Sequence, residues 1–325
     1  MVRGWSKIAL ALGGGAARGL AHIGVLQVLE EEQIPVHLIT GTSVGALVGG
    51  VYARTLSARL TREKFTAFAR SREFRRSAFD FLRESRKNRP GVLYSLKTLF
   101  KRGIFYGTSM TRASFISAEN FEHNINSLVD DVDFRDAGIG FAALAVCLST
   151  GEEVILREGS LRRAVKASCA IPGVLPPVEF DGRLLIDGGW LNKVPVLPAF
   201  RLGARAVIAV DISQDLEDTQ AYRKGYDIMV RANAIRSVAL KHIQCRFADV
   251  LIRPRVDHIH WADFSAVEEA VRLGEEAARQ ALPAIRTLLR RRRWAAFLDP
   301  VRPCLCDRLL PRGGEGRGES SAGSL

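Results

Sequence analysis

The chain of 325 residues has no stretch of eighteen consecutive apolar residues, so no membrane-spanning helix is expected. Cysteine is scarce. Cys147, Cys169, Cys245, Cys304 and Cys306 are odd in number and do not stand at metal-ligand spacing. A disulfide framework or a zinc module is therefore not expected, and reduced thiols are. No D-x-[DN]-x-[DN]-G calcium loop occurs, and no metal or cofactor is expected. The phosphate-loop and dinucleotide patterns G-x-x-x-x-G-K-[ST] and G-x-G-x-x-G are missing as well. With six histidines, candidates for a Ser-His-Asp arrangement are few. The opening MVRGWSKIALALGGGAARG falls short of a signal peptide, because its apolar segment Ile8 to Leu12 is short and glycines and Arg18 follow at once. It reads as the first β-strand of a cytoplasmic protein.

What the chain does have is apolar material for a core. Hydrophobic residues make up 47% and charged residues 25%, a globular composition sized for one large domain or two small ones. The net charge of +12 is unevenly placed. Arg54 to Arg102 holds 15 basic and 4 acidic residues, and Arg290 to Leu325 holds 8 and 4, so the body is close to neutral. Two basic segments suit an anionic surface, phospholipid or nucleic acid, or are simply solvated helix faces. No nucleic-acid motif is present and aromatics are not interleaved as a stacking platform requires, so nucleic acid is not an expected partner.

Along the chain, KIALALGGG reads as a buried strand ending in a glycine loop. AARGLAHIGVLQVLEEEQI reads as a helix, with Leu20, Ile23, Leu26 and Leu29 on one face. VHLITGTS is a second strand and VGALVGGVYA opens a second helix. Strand, helix, strand, helix is the rhythm of a parallel α/β sheet. Residues 57–104, rich in Arg and Phe, interrupt it and read as a helical insertion. TSMTRASFISAENFEHNINSL is expected as one helix, and SLRRAVKASCA as a short helix with Ser160 as N-cap. Strands are expected around Val178, around Leu184, in ARAVIAVDIS and in DVLIRP. A helix should cover Ile228 to Cys245. The last helix should start near Phe264, capped by Asp263 or Ser265, and reach Leu289 or beyond. The tail from about Arg312 has nothing to fold with and is expected to be disordered.

Chemistry concentrates in ITGTSVGALVGGVYA, residues 39–53. A serine hydroxyl becomes a nucleophile when it is exposed, when a base takes its proton and when donors stabilise the resulting oxyanion. On a sharp strand-to-helix turn the residues two positions either side must be small, and Gly41 and Gly45 flank Ser43 in that way. The helix that follows aims its N-terminus at the site, favouring negative charge. Gly13, Gly14, Gly15 and Ala16 end a strand and can converge backbone N–H groups into an oxyanion hole; a tight turn is the plain alternative. Arg18 beside them would add a fixed positive charge. For the base, His258 and His260 in VDHIHW leave a triad open. Asp187 is the stronger carboxylate: it ends an apolar strand, and Gly188 and Gly189 behind it permit close approach to another loop. A carboxylate in a partly apolar cleft has its pKa raised, which suits a base. In isolation, D-G-G would be a β-turn.

GGGAARG (13–19), GTSVG (41–45), ASCAIP (167–172) and DGG (187–189), with HIGVL after the loop and NKVP after the aspartate, resemble the bacterial patatin-like phospholipases in content and order. The match covers roughly Lys7 to Arg290. The resemblance implies a three-layer α/β/α sandwich around a mainly parallel sheet and a Ser-Asp dyad without histidine. Ser43 would be the nucleophile, Asp187 the general base, and the glycine loop the oxyanion hole. It implies lipid acyl esters as substrates. Residues 1–290 would then form the catalytic domain, carrying the basic insertion at about 57–104, and 291–325 a basic, partly disordered tail. Acyl transfer on the same dyad is one alternative; a membrane-associated protein with little activity is another. In the tail, LLRRRRWAAFLDPVRPCLCDRLL (288–310) joins arginines to Trp294, Phe297 and leucines, so peripheral contact with an anionic membrane is expected.

Overall fold

A computed structural model describes residues 7–71, 74, 114–216 and 225–298. Five strands run parallel: β1 (Ile8–Leu12), β2 (Leu38–Thr42), β3 (Gly140–Cys147), β7 (Ala206–Val210) and β8 (Val250–Ile252). β4 (Glu153–Leu156), β5 (Val178–Phe180) and β6 (Arg183–Asp187) extend it with antiparallel pairings. The order is β5-β6-β3-β2-β1-β7-β8, with β4 also on β3.

β1 shows why the sheet is covered on both sides. Its residues alternate between two cores, Ile8, Leu10 and Leu12 in the larger and Ala9 and Ala11 in the smaller. All five are buried, the continuous apolar run typical of a central parallel strand. The larger core is closed by α1 (Ala21–Glu31), α2 (Val44–Thr55), α3 (Ala58–Arg70), α4 (Ala118–Leu128), α5 (Leu161–Ser168) and α8 (Val267–Leu298). On the opposite face, α6 (Val196–Arg201) and the end of α7 (Gly225–Cys245) bury Val196, Ala199 and Cys245 against Ala9, Val207 and Ala209. The expected three-layer α/β/α sandwich is the architecture observed.

α1 and α8 are notched into each other. A Cβ on Gly24 would stand 2.0 Å from the Val271 carbonyl oxygen, and one on Gly274 2.0 Å from the Ala21 oxygen. Backbone therefore meets backbone at this crossing, which only glycine permits.

Several boundaries differ from expectation. Of the helix expected over 108–128, residues 108–113 lie outside the described residues; the described part is helical over Ala118–Leu128, where the Ser117 hydroxyl accepts the Asn120 N–H and caps it. Ser114 instead bridges Gly173. The insertion begins as α3, capped by Ser57; of the remainder only Ser71 and Phe74 are described, and the rest of 72–104 lies outside the described residues. Phe74 is buried against Phe68 and Phe264. α8 starts at Val267. The residue directly before it is Ala266, and Asp263 accepts both the N–H and the hydroxyl of Ser265 with its carboxylate. Ser160 does cap α5, accepting the Arg163 N–H. The basic tail is helical to Leu298 and lies outside the described residues from 299. Among the described residues, no helix is long and apolar enough to cross a membrane.

Candidate active site

Ser43 follows β2 directly, at φ 55° and ψ −124°, a conformation that costs an L-residue energy and marks a sharp turn. Its neighbours make the turn possible. A Cβ at Gly41 would lie 2.5 Å from Ala46 Cα, and one at Gly45 2.1 Å from the Leu12 carbonyl oxygen. The chain crosses itself here, and α2 starts at the next residue with its positive end at the serine.

The sheet brings Asp187 to the same point. Leu144 of β3 pairs with Thr42 of β2 on one edge and Ile155 of β4 on the other. One residue on, Ala145 pairs with Val154 of β4 and with Asp187 of β6. β2 and β6 therefore share one edge of β3 and run into each other head-on. The last residue of each abuts the other, and Ser43 turns away at the junction.

The segment ASCAIP is the strut between them. The Ser43 N–H donates to Ser168 Oγ at 3.0 Å, and that hydroxyl donates to the Leu144 carbonyl at 2.6 Å. The Asp187 N–H donates to the Ala170 carbonyl at 2.9 Å. A single short segment thus fixes the backbone of both residues, and Ser168 was not identified from sequence.

Asp187 is 5% exposed and Ser43 7%. Burial pushes the Asp187 carboxyl up to about 6, against the opposing pull of the Ser43 hydroxyl, the Gly189 N–H and the Lys193 ammonium. The Gly189 N–H donates to Asp187 Oδ1 at 2.7 Å and sets the carboxylate's orientation. Lys193 is lowered, chiefly by its own burial and next by Lys241. Lys241 is itself buried beside Asp211, 3.4 Å away. NKVP thus places a cation behind the carboxylate, a second feature not read from sequence.

In the glycine loop the donors divide into two sets. The N–H groups of Gly13 and Gly14 are committed to the fold, donating to the carbonyls of Val210 at 3.0 Å and Lys193 at 2.9 Å. Among the described residues, the N–H groups of Gly15 and Ala16 make no hydrogen bond outside the helices and strands. Ala16 has φ 51° and lines a cavity together with Ser43, while a Cβ on Gly14 would stand 3.3 Å from Ser43 Cβ. The Gly13 carbonyl is held by His22 Nε2 at 2.8 Å. Burial pushes His22 down to about 4, so its ring is neutral and donates from Nε2. Arg18 is buried too, its Nε donating to the Ile259 carbonyl at 2.9 Å.

The cavity at Ser43 is about 590 Å³ including its mouth, and its walls include Leu47, Phe68, Phe121, Ile171 and Phe264. None of its described lining residues is histidine. His258 Nε2 pairs with Glu269 at 2.9 Å on the surface, and His260 Nδ1 accepts the Ala262 N–H at 3.2 Å. The structure brings Ser43, Asp187, Ala16 and the glycine loop together and leaves His258 and His260 outside the cavity. Among the described residues no cluster of metal ligands occurs.

The family model for patatin-like phospholipases matches residues 10–200. A patatin-like phospholipase domain-containing protein of Caenorhabditis elegans is 30% identical over 304 residues, covering 85% of this chain and 20% of its own. A lysophospholipase of Mycosarcoma maydis is 32% identical over 214 residues, 66% of this chain and 10% of its own. An uncharacterized NTE family protein of Mycobacterium tuberculosis is 36% identical over 214 residues, 65% of this chain and 51% of its own. The chain therefore spans between a tenth and about half the length of these relatives.

Proposed function

The chain belongs to the patatin-like phospholipase family, and on that basis we propose that it hydrolyses carboxylic esters of lipids with Ser43 as nucleophile and Asp187 as general base. The observation that carries the proposal is a strained serine abutting a buried carboxylate of raised pKa at the mouth of an apolar cavity. With its pKa near 6, Asp187 is ionised at neutral pH yet still basic enough to accept a proton.

Ser43 Oγ attacks the acyl carbonyl carbon while its proton passes to the Asp187 carboxylate. The oxyanion that forms is received by the N–H groups of Gly15 and Ala16 and by the N-terminus of α2. As the tetrahedral centre collapses, the ester bond breaks, and Asp187 returns its proton to the departing alkoxide. Water then attacks the acyl carbon while Asp187 takes its proton; the bond to Ser43 Oγ breaks, Asp187 returns the proton to Ser43 and the carboxylic acid leaves. The cavity holds the acyl chain. A lysophospholipid fits this reading, and the name of the Mycosarcoma maydis relative points the same way.

The basic segments at 57–104 and 291–325 would bring the protein to an anionic membrane. The test of the central reading is an ester panel, from short p-nitrophenyl esters to lysophospholipid and phospholipid vesicles, with fluorophosphonate labelling of wild type and Ser43→Ala. Labelling and turnover should both vanish in the variant. Turnover that persists in it would refute the assignment.

A further inference from the structure

α4 faces the acyl cavity with Phe121, Asn124, Ile125 and Leu128, the i, i+3, i+4, i+7 stripe of a helix. Three of these are apolar, as a hydrocarbon site requires. Asn124 is not, and nothing local calls for it. The helix is already capped by Ser117, and asparagine is a poor choice inside a helix. The residue is 8% exposed, and among the described residues Nδ2 has no hydrogen-bond partner. Buried amides are almost always paired, and one left unpaired costs stability. The polar group beside these apolar residues therefore lacks a partner among the described residues, and a ligand that enters the cavity can supply one.

We propose that Asn124 is a specificity-determining residue that selects acyl chains bearing a hydroxyl along their length. The proposal rests on the cavity being the acyl site of the hydrolase described above. A carboxamide both donates and accepts, and a hydroxyl does the same. A plain alkyl chain would exclude water from the amide and leave it unpaired. A site built to bond a substrate hydroxyl rejects the analogue that lacks it more strongly than an apolar pocket rejects a missing methylene. An unsatisfied buried group translates into roughly ten- to hundredfold discrimination.

The experiment compares dodecanoic acid with its positional series of monohydroxydodecanoic acids. Equilibrium binding is measured by calorimetry, and turnover with the corresponding p-nitrophenyl esters, on wild type and Asn124→Leu. At least one hydroxylated isomer should bind wild type about tenfold or more tighter than the plain acid and react with a correspondingly higher kcat/KM. Asn124→Leu should lose that preference and gain on the plain chain. If no hydroxylated isomer is preferred by wild type, the proposal is overturned, and this arm needs no variant to fold. Preference retained in Asn124→Leu also overturns it. A binding preference without turnover would sustain the role of Asn124 and sink the hydrolase reading; turnover without preference would do the reverse.

Discussion

Thr42 and Asp187 sit end to end on one edge of β3, paired with the consecutive residues Leu144 and Ala145. Two strands far apart in the sequence thus terminate against each other, and the proposed nucleophile and base occupy the join. The sheet itself sets their separation, with Ser168 and Ala170 bracing the two backbones.

Ser43→Ala and Asp187→Asn are each expected to lower ester hydrolysis by at least about 1000-fold without unfolding the protein, since both belong to one unit. His258→Ala and His260→Ala should stay within a few fold of wild type. Steady-state kinetics on the four variants, with circular dichroism as the folding control, checks this. A histidine variant as damaged as Asp187→Asn would replace the dyad by a triad.

The pH profile follows from the state of Asp187. Its carboxyl must be ionised to accept the serine proton, so kcat/KM should rise as pH increases through about 6 and level off above. A limb centred near 4 would mean that burial does not raise this group.

The same burial has a stability cost of opposite pH dependence. The folded pKa, about 6, is raised above the roughly 3.9 of an unfolded aspartate. The folded state therefore binds more protons between these values, and stability falls as pH rises through them. The cost is absent below about pH 4 and complete above about pH 6, on the order of 3 kcal/mol. Asp187→Asn keeps an oxygen for the Gly189 N–H and removes the charge. It should melt higher than wild type at pH 8 and match it near pH 4 in a thermal scan.

Glycines of the site should separate folding from chemistry. Gly45→Ala forces a Cβ into the Leu12 carbonyl, 2.1 Å away, and should cost stability on the order of 3 kcal/mol. Gly14→Val meets Ser43 Cβ with its first carbon at 3.3 Å and should mainly disturb the loop. An activity loss of about 100-fold is expected, comparable to losing one oxyanion donor, with a modest shift in melting. Equal melting losses in both variants would make the loop a structural turn.

For the membrane, the 325-residue chain should float with anionic vesicles more than with zwitterionic ones, and less as salt increases. Truncation after Leu289 should weaken flotation while short-ester hydrolysis persists. Flotation unchanged by truncation would remove the C-terminal segment from membrane contact.

The sequence made local requirements readable. Gly41, Ser43 and Gly45 announce a turn because small residues are needed at fixed offsets, and the alternating rhythm of strands and helices announces the sheet. What depended on distant partners was hidden. Ser168 looks like any helix-terminal serine until Ser43 arrives at its hydroxyl. His22 reads as a core residue, and its bond to the Gly13 carbonyl exists only after the loop folds over it. Asn124 resembles a solvent-facing helix position, because only the fold shows that Phe121, Ile125 and Leu128 point inward with it. His258 looked available as a base since sequence does not show that Glu269 faces it across a turn of chain.

The reciprocal notch between α1 and α8 sets the smallest unit able to work. The family signature ends at residue 200, yet β7, which flanks β1, and α8, which seats Gly274 against Ala21, both come later. A fragment ending at 200 would open one side of the central strand and strip the cover from the helix that follows the glycine loop. Anyone transplanting this site into a shorter scaffold, or trimming the gene to its recognisable portion, would remove the keystone along with the surplus.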